Sequence, residues 1–311
     1  MTTASLDTTR FDGALRLHDW GLIRAAGADA ASFLHGQLTQ DVLHLDPAHA
    51  RLAGYCSAKG RLLASFVMWR GGADEILLAC SADLLPATLK RRSMFVLRSR
   101  CKLSDASNDL ALYGLAGPGA ARWLGQGAPT APWQRSEIAG GDAIRLPDAD
   151  AIARWLWAAP AAGPAPALPP LDAEAWRWLE VASGVVRITA ATAEQFVPQM
   201  VNLELVGGVN FQKGCYPGQE VVARSQYRGT VKRRTQRVTA SAALVAGQEV
   251  FHGADTVQPA GRVALAASLD GEQHAALVEL KLAALDGAEL HAGPARLEVG
   301  ALPYEIPADV A

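Results

Sequence analysis

The C-terminal quarter of the chain constrains the fold most, because its apolar residues alternate with polar ones over short runs. From about Arg237 onward the runs QRVTA, GRVALAAS, HAALVELKLA and ARLEVGAL are separated by Gly, Asp or Pro. Short strands at even spacing with turn residues between them are typical of a small all-β barrel or sandwich of about 70 residues. We therefore predict a C-terminal β-barrel at 235–311, preceded by a larger region at 1–234.

The larger region mixes strand and helix patterns. It begins with a strand from Leu22, a turn at Gly27 and a helix from near Asp29. Strands broken at Lys59-Gly60 and Gly71-Gly72 follow, and then a helix from about Ala82 to Ser93. This order favours an α+β fold over a doubly wound parallel sheet.

A break in composition lies at Ala158 to Pro170, where AAPAAGPAPALPP has no periodicity. Pro and Ala in such a run predict a semi-rigid surface loop within or beside the first region. Asp172 then caps a predicted helix that runs to roughly Ser183 and is ended by Gly184.

The charge balance limits the partners that the whole molecule can attract. With 29 basic and 31 acidic residues the formal charge is −2, so no overall field favours an anionic partner, and we do not expect direct contact with nucleic acid. No run approaches the ~18 apolar residues of a spanning helix, and the N-terminal residues lack a signal-peptide layout. We expect a cytoplasmic protein without membrane contact.

The cysteines and histidines do not form a metal-binding pattern. Cys56, Cys80, Cys101 and Cys215 contain no C-x-x-C pair, so neither a disulfide framework nor a zinc site is predicted. The seven histidines are scattered. Phosphate-binding, zincin and nucleophile-elbow motifs are also absent. We predict reduced thiols and no metal site.

The stretch FQKGCYPGQEVVARSQYRGTVKRR, from Phe211 to Arg234, carries the densest chemistry. Tyr216-Pro217-Gly218 predicts a turn, which places Cys215 on a tight loop. Lys213 lies two positions away, and a nearby positive charge favours the reactive thiolate. The residues alone leave two hypotheses for Cys215: a functional thiol, or a small side chain that fills a crowded turn.

Two further features have two readings each. The basic residues after the cysteine belong either to a solvated face or to an anion contact with a polyglutamate tail, a phosphate or an RNA backbone. Trp20 and Trp176 either pack in the core or stack on a flat heterocycle. The basic residues are Arg224, Arg228, Lys232, Arg233, Arg234 and Arg237.

The motif K-G-C-Y-x-G-Q-E, followed by V-x-A-R and R-G-x-x-K-R, resembles the signature of the YgfZ family of folate-binding proteins. That family is related to the glycine-cleavage T-protein and to a mitochondrial iron–sulfur assembly factor. DWGLIRAAGADAASFLHGQLTQDV, CSAKGRLL, the P-Q-x-x-N-L segment and the final LPY also resemble family segments. The resemblance spans about Leu15 to Tyr304.

The resemblance implies a T-protein-like fold, with a ferredoxin-like α+β unit in a folate-binding region and a C-terminal β-barrel. It implies that tetrahydrofolate or a derivative binds between Trp20 and Trp176, and that Cys215 acts together with Lys213. The partners it implies are a reduced folate and an iron–sulfur enzyme that methylthiolates tRNA. The other matching motif positions are Gly214, Tyr216, Gly218, Gln219, Glu220, Arg224 and Arg228.

Two departures from the related patterns affect the expected chemistry. The catalytic aspartate of the T-protein would fall on Ala64 or Ser65, so aminomethyl transfer lacks its acid or base here. The carboxylate that relatives carry two residues before the glycine is replaced by Ala182. Glu180 would project about 200° around the helix from that position, and we expect it to be a poor substitute for holding the pterin.

The leading hypothesis is a non-hydrolytic, folate-binding accessory protein that supports iron–sulfur enzymes and tRNA modification and uses Cys215. One alternative is a folate-dependent one-carbon transferase with Cys215 as its nucleophile. Another is a scaffold for iron–sulfur proteins that binds no folate.

Overall fold

The computed structural model describes residues 8–93, 99–227, 231–253, 255 and 257–307. The first region forms two five-stranded antiparallel sheets with short helices, and the C-terminal strands close into a six-stranded barrel. The predicted α+β fold with a C-terminal β-barrel is confirmed. No helix among the described residues is both long and apolar enough to cross a bilayer.

The first sheet contains the predicted hairpin strands in the order β3-β4-β5-β2-β6. Its β3–β4 turn is at the predicted Lys59-Gly60, where Gly60 has φ +71°. The next turn lies at Ala73 and Asp74, just past the predicted glycines, because β4 runs through Gly72. The elements are β2 (Trp20–Ala26), α1 (Ala30–His35), β3 (Arg51–Cys56), β4 (Leu62–Gly72), β5 (Glu75–Ser81), a 3₁₀ turn (Ala82–Leu84), α2 (Leu85–Ser93) and β6 (Lys102–Asp105).

The second sheet has the order β1-β7-β10-β9-β8. It corrects the predicted loop, because Ala158 and Ala159 are buried strand residues paired with Leu112 and Ala111. The irregular connection therefore begins after Pro160. The elements are β1 (Gly13–Arg16), β7 (Leu110–Ala116), α3 (Gly117–Leu124), β8 (Arg135–Ile138), β9 (Gly141–Ala149) and β10 (Ile152–Pro160).

Helix α4 (Ala173–Ala182) connects the parts of the molecule. The Asp172 side chain accepts from the Glu174 N–H at 2.9 Å, as the capping pattern predicted. Gly184, with φ +70°, follows the last turn. The helix packs against β9 on one side and against barrel strand β13 (Gly261–Leu269) on the other. As a result, seven of its ten residues are buried.

The barrel follows a connecting segment and helix α5 (Gln219–Tyr227), which was not predicted. Strand order around the barrel is β11-β14-β13-β12-β15-β16. Its small apolar core includes Val238, Val250 and Val278. The remaining strands are β11 (Arg233–Ala240), β12 (Glu249–His252), β14 (Gln273–Lys281), β15 (Leu290–Ala292) and β16 (Ala295–Gly300).

Candidate functional site

A cavity opens where the first sheet, the second sheet and α4 meet. Its empty volume is about 460 Å³, including open solvent at the mouth. We call it the core cavity. Its lining residues are Trp20, Leu52, Ser65, Phe66, Val67, Ala79, Trp133, Leu146, Pro147, Arg154, Glu180, Val185, Val186 and Arg187.

Arg187 organises one side of the core cavity. Its Nε donates to Glu180 Oε1 at 3.1 Å, and its terminal nitrogens donate to Asp19 Oδ2 at 2.8 Å and Ser81 Oγ at 3.1 Å. The guanidinium also lies 5.0 Å from the ring centroid of Trp20, a cation–π distance. Burial lowers the pKa of Arg187, but Glu180 and Asp19 raise it more, so it stays charged.

Glu180 is the buried carboxylate of the core cavity, which corrects the expectation that it points away. It is 4% exposed and lines the cavity. The helical-wheel argument fails because α4 is buried on almost every side, so position 182 does not define the only inward face. Glu180 therefore supplies an acidic group to the cavity from a different helical position.

Arg154 and Arg187 are cavity residues that the sequence analysis missed. Arg154 is 4% exposed, and its Nε donates to the Pro147 carbonyl at 2.9 Å. Burial lowers the pKa of Arg154 to about 10, against the attraction of Glu180. The sequence does contain a signal for Arg154, because this residue interrupts the apolar strand IARWLWAAP. A charge buried in such a strand is costly unless it is paired or hydrogen-bonded.

The structure separates the two tryptophans that were predicted to flank a folate. Trp20 is half-buried and lines the core cavity, and its buried Nε1 has no hydrogen-bond acceptor among the described residues. Trp176 is 1% exposed and is not among the lining residues. It packs under Gly114, where a Cβ would come within 2.7 Å of the indole ring. Trp176 therefore supports the cavity from behind its wall.

The residues at the aspartate position of the T-protein pattern carry no carboxylate. Ala64 and Ser65 are both buried in β4. Ser65 lines the core cavity, and its Oγ accepts from the Ile188 N–H at 3.0 Å. This hydroxyl holds the segment after α4 by accepting a backbone hydrogen bond. Position 65 therefore has a structural role and supplies no acid or base.

The second region of interest is the signature loop, residues 211–218. Cys215 is exposed there, on irregular backbone between Lys213 and the turn at Gly218, as predicted. Cys56, Cys80 and Cys101 are buried. Burial raises the pKa of Cys56 to about 12, which makes this thiol unreactive. Cys215 is thus the accessible thiol of the described chain.

Lys213 anchors the signature loop to the end of α1. Its Nζ donates to the carbonyl oxygens of His35 and, at 2.8 Å, of Leu38. It also lies 4.8 Å from the ring centroid of Tyr216. Burial lowers the pKa of Lys213 to about 8, while the Asp41 and Cys215 charges oppose the shift. Lys213 and Cys215 are therefore close enough to interact electrostatically.

The other motif residues form the base of this loop or lie on α5. Gly218 has φ +79° and sits against Ser57 and Gly60, so the loop packs onto the β3–β4 turn. Tyr216 is buried, and desolvation raises the pKa of its hydroxyl. Gly214 is exposed and Gln219 is half-buried at the start of α5, whereas Glu220 and Arg224 pair with each other on the surface. Arg228 lies outside the described residues.

Besides Arg224, three arginines of the basic run are ion-paired in the structure. Arg234 is 1% exposed and pairs with the buried Glu204. Arg233 pairs with Glu279 of the barrel, and Arg237 pairs with Asp150 of the β9–β10 turn. The Arg234 and Arg237 pairs join the barrel to the first region, the Arg233 pair lies within the barrel, and Lys232 is exposed. The hypothesis of a solvated basic face therefore fails for Arg234.

The core cavity and the signature loop do not share residues. Neither Cys215 nor Lys213 is among the residues that line the cavity. The structure thus assembles Trp20, Glu180, Arg154 and Arg187 in one place and Cys215, Lys213 and Tyr216 in another.

Comparison with known proteins assigns the family. A tRNA-modifying protein YgfZ from Edwardsiella ictaluri is 36% identical over 246 residues, covering 70% of this chain and 68% of that protein. Another from Klebsiella pneumoniae is 32% identical over 278 residues, covering 83% and 82%. The chain belongs to the YgfZ family. No family model matches it.

A solved structure has the same overall fold as this chain. The glycine cleavage system aminomethyltransferase T from Bartonella henselae superposes with a TM-score of 0.72 at 18% identity. The match covers 94% of this chain and 87% of that protein. The predicted T-protein-like fold is confirmed.

Proposed function

We propose that this protein binds a reduced folate in the core cavity and serves as an accessory protein in tRNA modification. The names of its YgfZ relatives support the second part. The observation that carries the first part is the combination of Trp20, Glu180 and Arg154 around one cavity. The folate dependence that the family signature implies is consistent with this combination.

The chemistry of the core cavity fits a pterin ring. A pterin is flat and carries hydrogen-bond donors and acceptors along its edge. Phe66 and Val67 provide apolar walls, Glu180 is an acceptor and Arg154 is a donor. The orphaned indole N–H of Trp20 is a further donor. Few polar groups in an apolar pocket are typical of a site that orients its ligand.

The core cavity is narrow, since the centre of a water molecule can occupy only about 40 Å³ of it. A pterin ring therefore enters only if a wall residue moves. Trp20 and Trp133 are half-buried tryptophans at the wall, so ligand entry should change their environment and their fluorescence.

The cavity does not support aminomethyl transfer. The required carboxylate is replaced by Ala64 and the backbone-bound Ser65 hydroxyl, and the Glu180 carboxylate is tied to Arg187. We propose instead that this chain binds the folate without catalysing a reaction on it. In this proposal Cys215, held by Lys213, meets an iron–sulfur client enzyme at the surface.

Tryptophan fluorescence tests folate binding directly. Wild type is titrated anaerobically with tetrahydrofolate to about 100 µM, a weak-binding scale, alongside Trp20→Phe and Trp123→Phe. Trp123 packs on Trp157, away from the cavity lining. We expect saturable quenching in wild type and Trp123→Phe and a smaller amplitude in Trp20→Phe, where Trp133 is the remaining tryptophan of the cavity lining. An unquenched wild type would contradict the proposal.

The accessory role is tested by complementation of a strain deficient in tRNA methylthiolation. Wild type and the control Cys101→Ala, which alters a buried cysteine outside the motif, should restore the modification, and Cys215→Ala should not. Full restoration by Cys215→Ala would make Cys215 a structural residue.

A further inference from the structure

Arg154 has a buried guanidinium whose hydrogen-bonding capacity is only partly used by the described residues. Its Nε donates to the Pro147 carbonyl, and its guanidinium lies 5.6 Å from the ring centroid of Trp176. Among the described residues, its two terminal nitrogens have neither a hydrogen-bond acceptor nor an ion-pair partner. Arg154 lines the core cavity.

Arg145, on the neighbouring strand β9, is a buried arginine whose terminal nitrogens have hydrogen-bond and ion-pair partners. Its side chain is also buried and stacks on Trp155 at 4.9 Å. Its Nη1 donates to the Leu146 carbonyl at 2.7 Å and to the Arg154 carbonyl at 3.1 Å, and its Nη2 pairs with Asp148. Arg145 is not among the cavity-lining residues.

The contrast between the two arginines points to a ligand. A buried donor without an acceptor costs roughly 1–3 kcal/mol, and more when it is charged. Arg154 is 4% exposed as a residue and lines the cavity together with the acceptor Glu180, so an acceptor on a bound ligand would satisfy its terminal nitrogens. Bidentate donation by a guanidinium suits an oxygen-rich or carbonyl-bearing edge.

We propose that Arg154 donates to the ring oxo group of the bound pterin and thereby selects 4-oxo over 4-amino pteridines. This inference rests on the proposed folate site and names its specificity residue. A 4-amino group presents N–H donors to the donors of Arg154, which leaves both sides unsatisfied. Glu180 keeps free lone pairs on its oxygens for the ring N–H groups.

The test compares tetrahydrofolate with its 4-amino counterpart, tetrahydroaminopterin, in wild type, Arg154→Met and Arg145→Met. We expect wild type to prefer tetrahydrofolate by about 10- to 100-fold, the range for an unpaired buried donor. Arg154→Met should weaken tetrahydrofolate binding by a similar factor and reduce the preference to within about threefold. Arg145→Met should keep the wild-type preference although it loses an ion pair.

Thermal melting without ligand shows whether Arg154 acts in ligand recognition or in stabilising the fold. A buried charge without a direct ion-pair partner is costly, so Arg154→Met should melt at or above the wild-type temperature. Arg145→Met should melt lower. If Arg154→Met does not fold, Arg154→Gln takes its place, and its single amide donor should give an intermediate preference.

The outcomes separate the inference from the proposed function. If wild type binds tetrahydrofolate and the Arg154 variant keeps the full preference, the inference is overturned and the folate site stands. Equal binding of both ligands by wild type also overturns it. If wild type binds neither ligand, the proposed function fails and the inference fails with it.

Discussion

The core cavity and the signature loop use the same kinds of side chain in opposite ways. In the core cavity the cations Arg154 and Arg187 line the space itself, and the terminal nitrogens of Arg154 have no partner among the described residues. In the signature loop the cation Lys213 is the buried anchor, and the thiol of Cys215 is exposed. In the proposed function, recognition therefore belongs to the buried cavity and thiol chemistry to the surface.

Because of this difference, we expect mutations to separate ligand binding in the core cavity from the role of Cys215 in the signature loop. Trp20, Ser65, Arg154 and Glu180 of the cavity lie on β2, β4, β10 and α4, which contribute residues to the main core, and Arg187 follows α4. The signature loop is held by a few contacts, namely the Lys213 hydrogen bonds and the packing of Gly218 on the β3–β4 turn. Changes in the cavity should therefore act on stability and ligand affinity, whereas changes in the loop should act locally.

The largest effect is expected for Glu180→Gln. This change leaves Arg154 without a buried counter-charge and breaks the ion pair with Arg187, so the free energy of unfolding should fall by about 3 kcal/mol. The matched control is Glu220→Gln, which removes the exposed pair with Arg224 and should cost less than about 0.5 kcal/mol. Urea denaturation measures both. Equal losses would show that the cavity pair is no more important than a surface pair.

A smaller effect is expected for Gly218→Ala in the signature loop. The residue has φ +79°, and a Cβ would lie 2.4 Å from the Ser57 carbonyl oxygen and 2.6 Å from Gly60 Cα. We expect a loss of about 2 kcal/mol from strain and displaced backbone. Gly214→Ala is the control, since its Cβ would meet only His35 Nε2 at 3.7 Å. A neutral Gly218→Ala would contradict the described packing of the loop.

The smallest effect is a pH dependence that comes from Lys213. Its pKa in the folded protein is about 8, below the ordinary 10.5, so the unfolded chain binds more protons between these values. Stability from this group therefore rises with pH, by about 1 kcal/mol between pH 8 and 9. Wild type should show this rise relative to Lys213→Met in urea denaturation at the two pH values. Identical slopes in both proteins would rule out a desolvated ammonium.

Local signals in the sequence predicted much of the fold. The alternation of the last strands, the cap at Asp172 and the turn at Gly60 each depend on neighbours in the chain. The loop position of Cys215 followed from Tyr216-Pro217-Gly218 for the same reason, whereas its exposure was not predicted. These features need no knowledge of what packs against them.

The candidate site depended on distant packing and was predicted less well. The inward position of Glu180 results from the burial of α4 between β9 and the barrel, which a helical wheel does not contain. Arg234 was assigned to a basic run, but it pairs with Glu204, thirty positions earlier in the chain. Trp176 lies under Gly114 from another strand and is not among the cavity-lining residues, and its contact with a folate stays a prediction. In each case the deciding partner is remote in sequence.

The separation of ligand cavity and reactive loop is tested most directly by the tetrahydrofolate dissociation constant of Cys215→Ala, measured by tryptophan quenching beside wild type. Because Cys215 is not among the cavity-lining residues, we predict the two constants to agree within about twofold, or ~0.4 kcal/mol. A loss of affinity of about tenfold or more, ~1.4 kcal/mol, would show that the thiol belongs to the folate site and would contradict the account.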